Sequence, residues 1–261
     1  MAENIIYCFS GTGNSLHASI EIAKALTHTH VISMRCRPQD VPSREAEVIG
    51  FVFPVYHWTL PEFVRTFIEQ VDIHPGAYIF AVATCGGLPV NALNDLAALI
   101  RAKHASVAYS AALTTVANYV AAYEPFPRPD RRLPRAEAEL SRIQSDIAAR
   151  KHNRAPAPSP IKEFMRLLET PFAKALPTKD RGFRVSDACV SCGLCARLCI
   201  PKNIVMRDNG PAFQHRCAQC MACLVFCPKQ AIQYRSQTER RTKYHHPDIS
   251  AALLSKDALD F

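Results

Sequence analysis

Eight of the eleven cysteines in this 261-residue chain fall between Cys189 and Cys227. They form two runs, "CVSCGLCARLCIP" from Cys189 and "CAQCMACLVFCP" from Cys217. A shift of 28 residues lays Cys189, Cys192, Cys195 and Cys199 on Cys217, Cys220, Cys223 and Cys227, and Ile204 on Ile232. Three thiols at three-residue steps can wrap one face of a metal cube from a single tight loop, whose backbone N–H groups point at the sulfurs. The fourth corner must come from elsewhere. C-x2-C-x2-C-x3-C, twice, is the spacing that holds two [4Fe–4S] clusters, each run lending its last cysteine to the other's cluster. The expected ligand sets are Cys189, Cys192, Cys195 and Cys227, and Cys217, Cys220, Cys223 and Cys199. Zinc sites use cysteines in separated pairs, and soft thiolates select against hard cations. Cys227 is followed by Pro228 as the pattern has it, whereas Cys199 is followed by Ile200 with proline one place later. Crossed sets put the clusters side by side, so that electrons can pass between them.

A second kind of chemistry is written in three loops of the first half. "FSGTGNS" (9–15) follows an apolar run and opens an amphipathic one. It lacks the third glycine of a dinucleotide fingerprint and the Gly-Lys-Ser/Thr of a nucleotide P-loop. It offers Ser10, Gly11, Thr12, Gly13, Asn14 and Ser15 at a helix N-terminus, an anion site made of N–H groups, hydroxyls and the helix dipole. "FPVYHWTLP" (53–61) carries Pro54, Val55, Tyr56, His57 and the single tryptophan, Trp58. "TCGG" supplies Thr84, Cys85, Gly86 and Gly87. In open α/β sheets ligands bind outside the carboxyl ends of the strands. A phosphate loop, an aromatic loop and a glycine loop meeting there suit a planar ring with a phosphate tail.

The elements that must position these loops alternate. Strands are expected over 4–10, 30–35, 47–55, 77–87 and 106–116. Amphipathic helices are expected over 15–26, 60–71, 91–102 and 135–150. Near-continuous apolar strands between such helices mean a parallel sheet covered on both faces. "APAPSP" (155–160) then reads as a stiff linker, followed by an amphipathic segment, 161–176.

Residues 1–153 resemble flavodoxin, and 183–236 resemble a bacterial two-cluster ferredoxin. The order "FSGTGNS", "FPVYHWTLP", "TCGG" and paired cysteine runs resembles fused flavodoxin–ferredoxin proteins. The resemblance implies a flavodoxin-like doubly wound five-stranded parallel sheet, order 2-1-3-4-5, with a small C-terminal α+β ferredoxin domain. It implies FMN, its phosphate on Ser10–Ser15, Tyr56 or Trp58 on the isoalloxazine and 84–87 along the ring edge. "ANYV" (117–120) also resembles a family segment, which adds Asn118 and Tyr119. The expected organisation is 1–153, a basic connector at 154–182, the cluster domain at 183–236, and a tail at 237–261 docking on the body.

The expected function is electron transfer between two [4Fe–4S] clusters and FMN, and on to a partner redox protein. The alternatives are a flavin-dependent reductase of a small acceptor fed by the clusters, and a flavin-free iron–sulfur interaction module. No catalytic residue stands out, although His57 beside the ring is a candidate proton donor. No apolar run is long enough to span a membrane, and "MAENIIYCFS" does not read as a signal peptide. A cytoplasmic protein is therefore expected, and eleven cysteines in that compartment are not a disulfide framework. No nucleic-acid partner is expected. Charge is uneven: residues 1–127 hold 7 Lys/Arg against 10 Asp/Glu, and 128–184 hold 14 against 7. The basic stretch reads as a solvated linker face. The module at 185–236 holds 6 Lys/Arg against 2 Asp/Glu, an excess that two clusters of about −2 each would offset. Cys8, Cys36 and Cys85 read as packing thiols, with Cys85 nearest the expected ring. His245 and His246 read as part of a docking segment rather than a metal site.

Overall fold

The computed structural model describes residues 4–41, 43–153 and 175–261. "APAPSP" and the amphipathic segment after it, up to residue 174, lie outside the described residues. Strands β1 (Asn4–Cys8), β2 (Thr29–Ser33), β3 (Val48–Pro54), β4 (Tyr78–Cys85) and β5 (Val107–Thr114) alternate with helices α1 (Asn14–Ala25), α2 (Glu62–Gln70), α3 (Ala92–Ala102) and α4 (Pro129–Ala148). The five strands pair in parallel in the order 2-1-3-4-5. This is the flavodoxin-like α/β fold.

Strand periodicity decides which face each side chain serves. Ile5, Tyr7 and Phe9 enter the core shared with Val64 and Ile68 of α2 and Leu96 and Ile100 of α3. Ile6 and Cys8 enter the core shared with Ile20 and Ile22 of α1 and Leu140, Ile143 and Ile147 of α4. β4 is buried at every position, as a central strand covered on both faces must be.

Two features differ from expectation. Helix α4 begins at Pro129, not at 135, and runs through Pro134. Pro129 occupies the first turn, where no N–H is needed. The stripe Ala136, Leu140, Ile143 and Ile147 packs the rest of the helix onto the sheet. The second difference is a sixth strand. β10 (Ala258–Asp260) pairs antiparallel with β2, Leu259 opposite Val31. It covers the edge that an open sheet would otherwise leave unpaired.

The cysteine-bearing part carries the 28-residue repeat in its backbone. Helix α5 (Leu194–Leu198) starts 28 residues before α6 (Ala222–Val225), and β7 (Ile204–Arg207) starts 28 before β9 (Ile232–Tyr234). β6 (Phe183–Val185) pairs antiparallel with β9, and β7 with β8 (Gly210–Phe213). Each pair thus joins a strand of one repeat to a strand of the other. A small core of Phe183, Met221, Leu224, Ile232 and Tyr234 takes in Val120 and Ala121 from the loop after β5. Leu198, Ala222 and Phe226 join the core on the α1/α4 face, and Ile200 joins the other. A short helix, α7 (Ala251–Leu254), leads into β10. Arg35, beyond β2, donates to the carbonyls of Ser255 (2.7 Å), Lys256 (2.9 Å) and Arg197 (2.6 Å). One guanidinium therefore holds the tail and the cysteine part to the sheet. Among the described residues no helix is long and apolar enough to cross a membrane.

Candidate functional site

The loop after β1 reaches α1 through Gly13, which has φ 100° and stands at the N-cap position. That conformation favours glycine. Space also demands it, because a Cβ there would lie 2.9 Å from Ile249 Cβ and 3.0 Å from His246 Cβ. No side chain caps the helix, so its first-turn N–H groups stay available to an anion. Ser10 Oγ accepts from the Gly13 N–H at 3.2 Å. Ser15 Oγ lies 2.8 Å from Thr84 Oγ1, Asn14 Nδ2 donates to Thr115 Oγ1 at 3.1 Å, and Asn118 Nδ2 donates to Thr12 Oγ1 at 2.5 Å. The phosphate loop, "TCGG" and "ANYV" are thus laced together by short polar side chains.

One cavity lies over them. Ser10, Gly11, Thr12, Asn14, Ser15, Pro54, Val55, Tyr56, Thr84, Cys85, Gly86, Asn118 and Tyr119 all line it. Gly13 does not, since its Cα faces the C-terminal tail. His57, Trp58 and Gly87 line a contiguous cavity of about 630 Å³, together with Tyr56, Cys85, Gly86, Tyr119, Tyr123 and Phe126. Trp58 is 47% exposed at its rim. The first cavity also has lining that sequence reasoning missed. Thr115, Val116 and Ala117 follow β5, and the strand-end rule applied there would have found them. Gln219, Cys220 and Met221 come from the second cysteine run, and nothing local to that run signals the contact. Gly11 makes it possible, because a Cβ there would run into the Cys220 carbonyl oxygen.

The cysteines of the two runs lie close together. Cys189, Cys192, Cys195, Cys223 and Cys227 border one cavity. The thiol charges that bear on Cys195 are those of Cys192, Cys189 and Cys227. Cys199 bears on Cys217 in the same way, Cys220 and Cys195 bear on Cys199, and Cys220, Cys217, Cys199 and Cys195 bear on Cys223. Among the described residues no three of these thiols close to within 4.8 Å of one another. Ser191 (φ 52°) and Gln219 (φ 53°) are left-handed 28 residues apart, as are Gly193 (φ 73°) and Met221 (φ 61°). Such turns direct N–H groups inward, the geometry of an anion nest. Cys199 Sγ accepts from Asn203 N at 3.1 Å, and Cys227 Sγ accepts from Ala231 N at 3.3 Å. Those bonds too are related by the repeat.

Burial sets the electrostatics. It pushes the Cys199, Cys217 and Cys220 thiols up to about 12. Deprotonating them as ligands is work that a bound cation would do. Cys85 is pushed up to about 11, also by burial, and lies 2.9 Å from the Gly87 carbonyl oxygen, so it is a packing thiol at neutral pH. Cys8 is buried and pushed up to about 12 by desolvation. His57 is brought down to about 4 by burial and then by Lys179. It is neutral at pH 7, a hydrogen-bonding group rather than an imidazolium acid. His246 is buried in the docked tail and stacks on His17 with centroids 3.9 Å apart.

No protein-family model matches the sequence, and no curated relative matches it. Solved structures similar to the chain include the two-electron reduced flavodoxin of Megasphaera elsdenii, at 18% identity and a TM-score of 0.35, covering 41% of this chain and 83% of that one. An FMN-dependent NADH-azoreductase from Bacillus anthracis, solved in complex with FMN, is similar at 11% identity and a TM-score of 0.40, covering 57% of this chain and all of the other. At such scores the strand order, not the likeness, carries the fold.

Proposed function

We propose that this protein is an electron-transfer flavo-iron–sulfur protein that passes low-potential electrons between two [4Fe–4S] clusters and FMN and on to a redox partner. The observation that carries this reading is the shared wall. Cys220, flanked by Gln219 and Met221, lines the same cavity as the phosphate loop. When bound, FMN would supply one- or two-electron chemistry and each cluster one-electron chemistry.

The chain's own part is to bind, orient and exclude. Ser10–Ser15 and the uncapped N-terminus of α1 would take the phosphate. Tyr56, Trp58 and Tyr119 would frame the ring, with Thr84–Gly87 along its edge. Neutral His57 would hold a hydrogen bond there without adding charge. Cys217, Cys220, Cys223 and Cys199 would hold the cluster next to the flavin cavity. Cys189, Cys192, Cys195 and Cys227 would hold the outer one, where Cys192 is exposed and Val190 is 58% exposed. A partner would reach the outer centre first. The Asn203 and Ala231 N–H groups on Cys199 and Cys227 would favour the more negative state of each cluster and so tune its potential.

A reductase of small acceptors is the second reading. It draws on the open, aromatic-lined cavity of about 630 Å³, a size that accommodates ligands.

The deciding experiment is anaerobic purification with iron, sulfide and FMN quantified per chain, then dithionite titration followed by absorbance and EPR. About eight irons and one FMN per chain are expected. Zinc in place of iron, or no flavin after reconstitution, would sink the proposal. Turnover of a quinone or nitro compound without any protein partner would favour the reductase.

A further inference from the structure

Three contacts converge on the loop after β1 from the side away from the cavity. All come from the tail segment Tyr244–Ile249. Tyr244 Oη donates to Asn14 Oδ1 at 2.9 Å, and both residues are buried. The His246 backbone N–H donates to the Thr12 carbonyl at 2.8 Å. Ile249 packs under Gly13. Asn14 is thereby held at both ends, its amide nitrogen by Thr115 and its oxygen by Tyr244. None of Tyr244, His246 and Ile249 lines the cavity.

We infer that the tail segment Tyr244–Ile249 is a latch on the phosphate loop, and that Tyr244 and His246 are positioning residues for the ligand's anionic tail without touching it. This rests on the FMN reading above. The first turn of α1 has no side-chain cap, so the position of the loop that leads into it rests on contacts from outside the helix: Ser10, Thr84 and Thr115 on the cavity side and the tail on the other. The latch supplies the latter constraint from the far end of the chain.

The latch has a built-in proton dependence. His246 stacks on His17, and the two rings lie between two carboxylates. Glu137 of α4 is 2.9 Å from His17 Nε2 and 3.8 Å from His246 Nε2. Asp248 is 3.7 Å from His17 Nδ1 and 3.8 Å from His246 Nδ1. Burial, then His17 and, more weakly, His245, lower His246 to about 4 from 6.5, against the opposing pull of Asp248 and Glu21. The undocked imidazole therefore binds a proton that the docked one refuses. Docking is at full strength above about pH 6.5 and weakens as pH falls towards 4.

The test uses the full, iron-loaded chain. FMN affinity is measured by fluorescence quenching, and amide hydrogen exchange of residues 10–15 is measured with no FMN added, for wild type, Tyr244→Phe and His246→Gln. Circular dichroism and iron content confirm that the variants fold. Tyr244→Phe strands the Asn14 oxygen, so about tenfold weaker FMN binding and faster exchange at 10–15 are expected. Between pH 7.5 and 5.5 the wild type should weaken by up to about tenfold more than His246→Gln, on the pKa difference just given. The FMN phosphate also titrates near pH 6, and the comparison between the two proteins cancels that shared contribution. Unchanged affinity and unchanged exchange in folded Tyr244→Phe, or identical pH profiles for wild type and His246→Gln, would overturn the latch. A wild type that binds no FMN, yet whose loop exchange still accelerates in Tyr244→Phe, would remove the flavin reading and leave the latch standing.

Discussion

The carboxylate of Asp180 accepts three hydrogen bonds, from Asn203 Nδ2 (3.0 Å), His215 N (2.8 Å) and His215 Nδ1 (2.7 Å). Asn203 passes the constraint on. Its oxygen accepts from the Gln214 and Arg216 backbone, and its N–H donates to Cys199 Sγ. Asp180 is 1% exposed, so removing it leaves buried donors without water to replace it. Asp180→Ala should cost about 2–4 kcal/mol, read as a lower midpoint in urea or heat. If the protein carries the two proposed clusters, the variant should also speed iron loss to a chelator from the one that Cys199 would complete, stopping near half the starting iron. Wild-type stability in that variant would show that the brace carries no energy. Single residues were unevenly legible. The eight cysteines announce themselves because their spacing is the one that two [4Fe–4S] clusters require. Fifteen of the seventeen loop positions follow from where parallel strands end, and Asn118 and Tyr119 come from the family resemblance. Asp180 sits in a basic connector with no spacing rule to mark it. Gln219 and Met221 reach the cavity over the loop after β1 through a contact that no local pattern encodes.

Elements were more legible than their ends. The five parallel strands and four long helices lie where apolar period and punctuation place them, within two residues or so at most boundaries. The exception is α4, where Pro134 looks like a stop and is not one. It sits in the second turn with its ring in solvent, where tertiary packing of the later turns outweighs one missing hydrogen bond. Pro134→Ala should restore the bond to the Asp130 carbonyl with no packing lost. A gain of about 1 kcal/mol or more is expected in thermal unfolding. A loss would mean that the proline's stiffening of the unfolded chain outweighs its cost in the helix. β10 was invisible for another reason. "ALD" is too short to carry a period, and its pairing with β2 depends on a return across more than two hundred residues of chain.

At the scale of the molecule, the sheet and the cysteine part are tied at more than the connector between them. Residues after the second cysteine run supply the His246 bond to the loop after β1, the sixth strand of the sheet, and two of the carbonyls that Arg35 grips. Leu198, Ala222, Phe226, Ile249 and Leu254 share one apolar core with α1 and α4. Charge blocks and the Pro-rich stretch mark two units along the sequence, yet burial runs across them, because composition records solvent exposure of the chain and not which apolar faces meet. Two fragments, 1–160 and 161–261, should therefore assemble without a covalent link. Co-expressed, they are expected to copurify and to run as one species of about the full-length mass through size exclusion at high salt, since the contact is largely apolar and little screened. Deleting 256–261 from the second fragment removes β10 and the Lys256 and Asp257 contacts of Arg35, and should weaken that association or expose the β2 edge to self-pairing. Fragments that separate in low salt would mean that the connector, not the returning tail, holds the two halves in register. The short path from the Cys220 loop to the phosphate loop would then need the intact chain to persist.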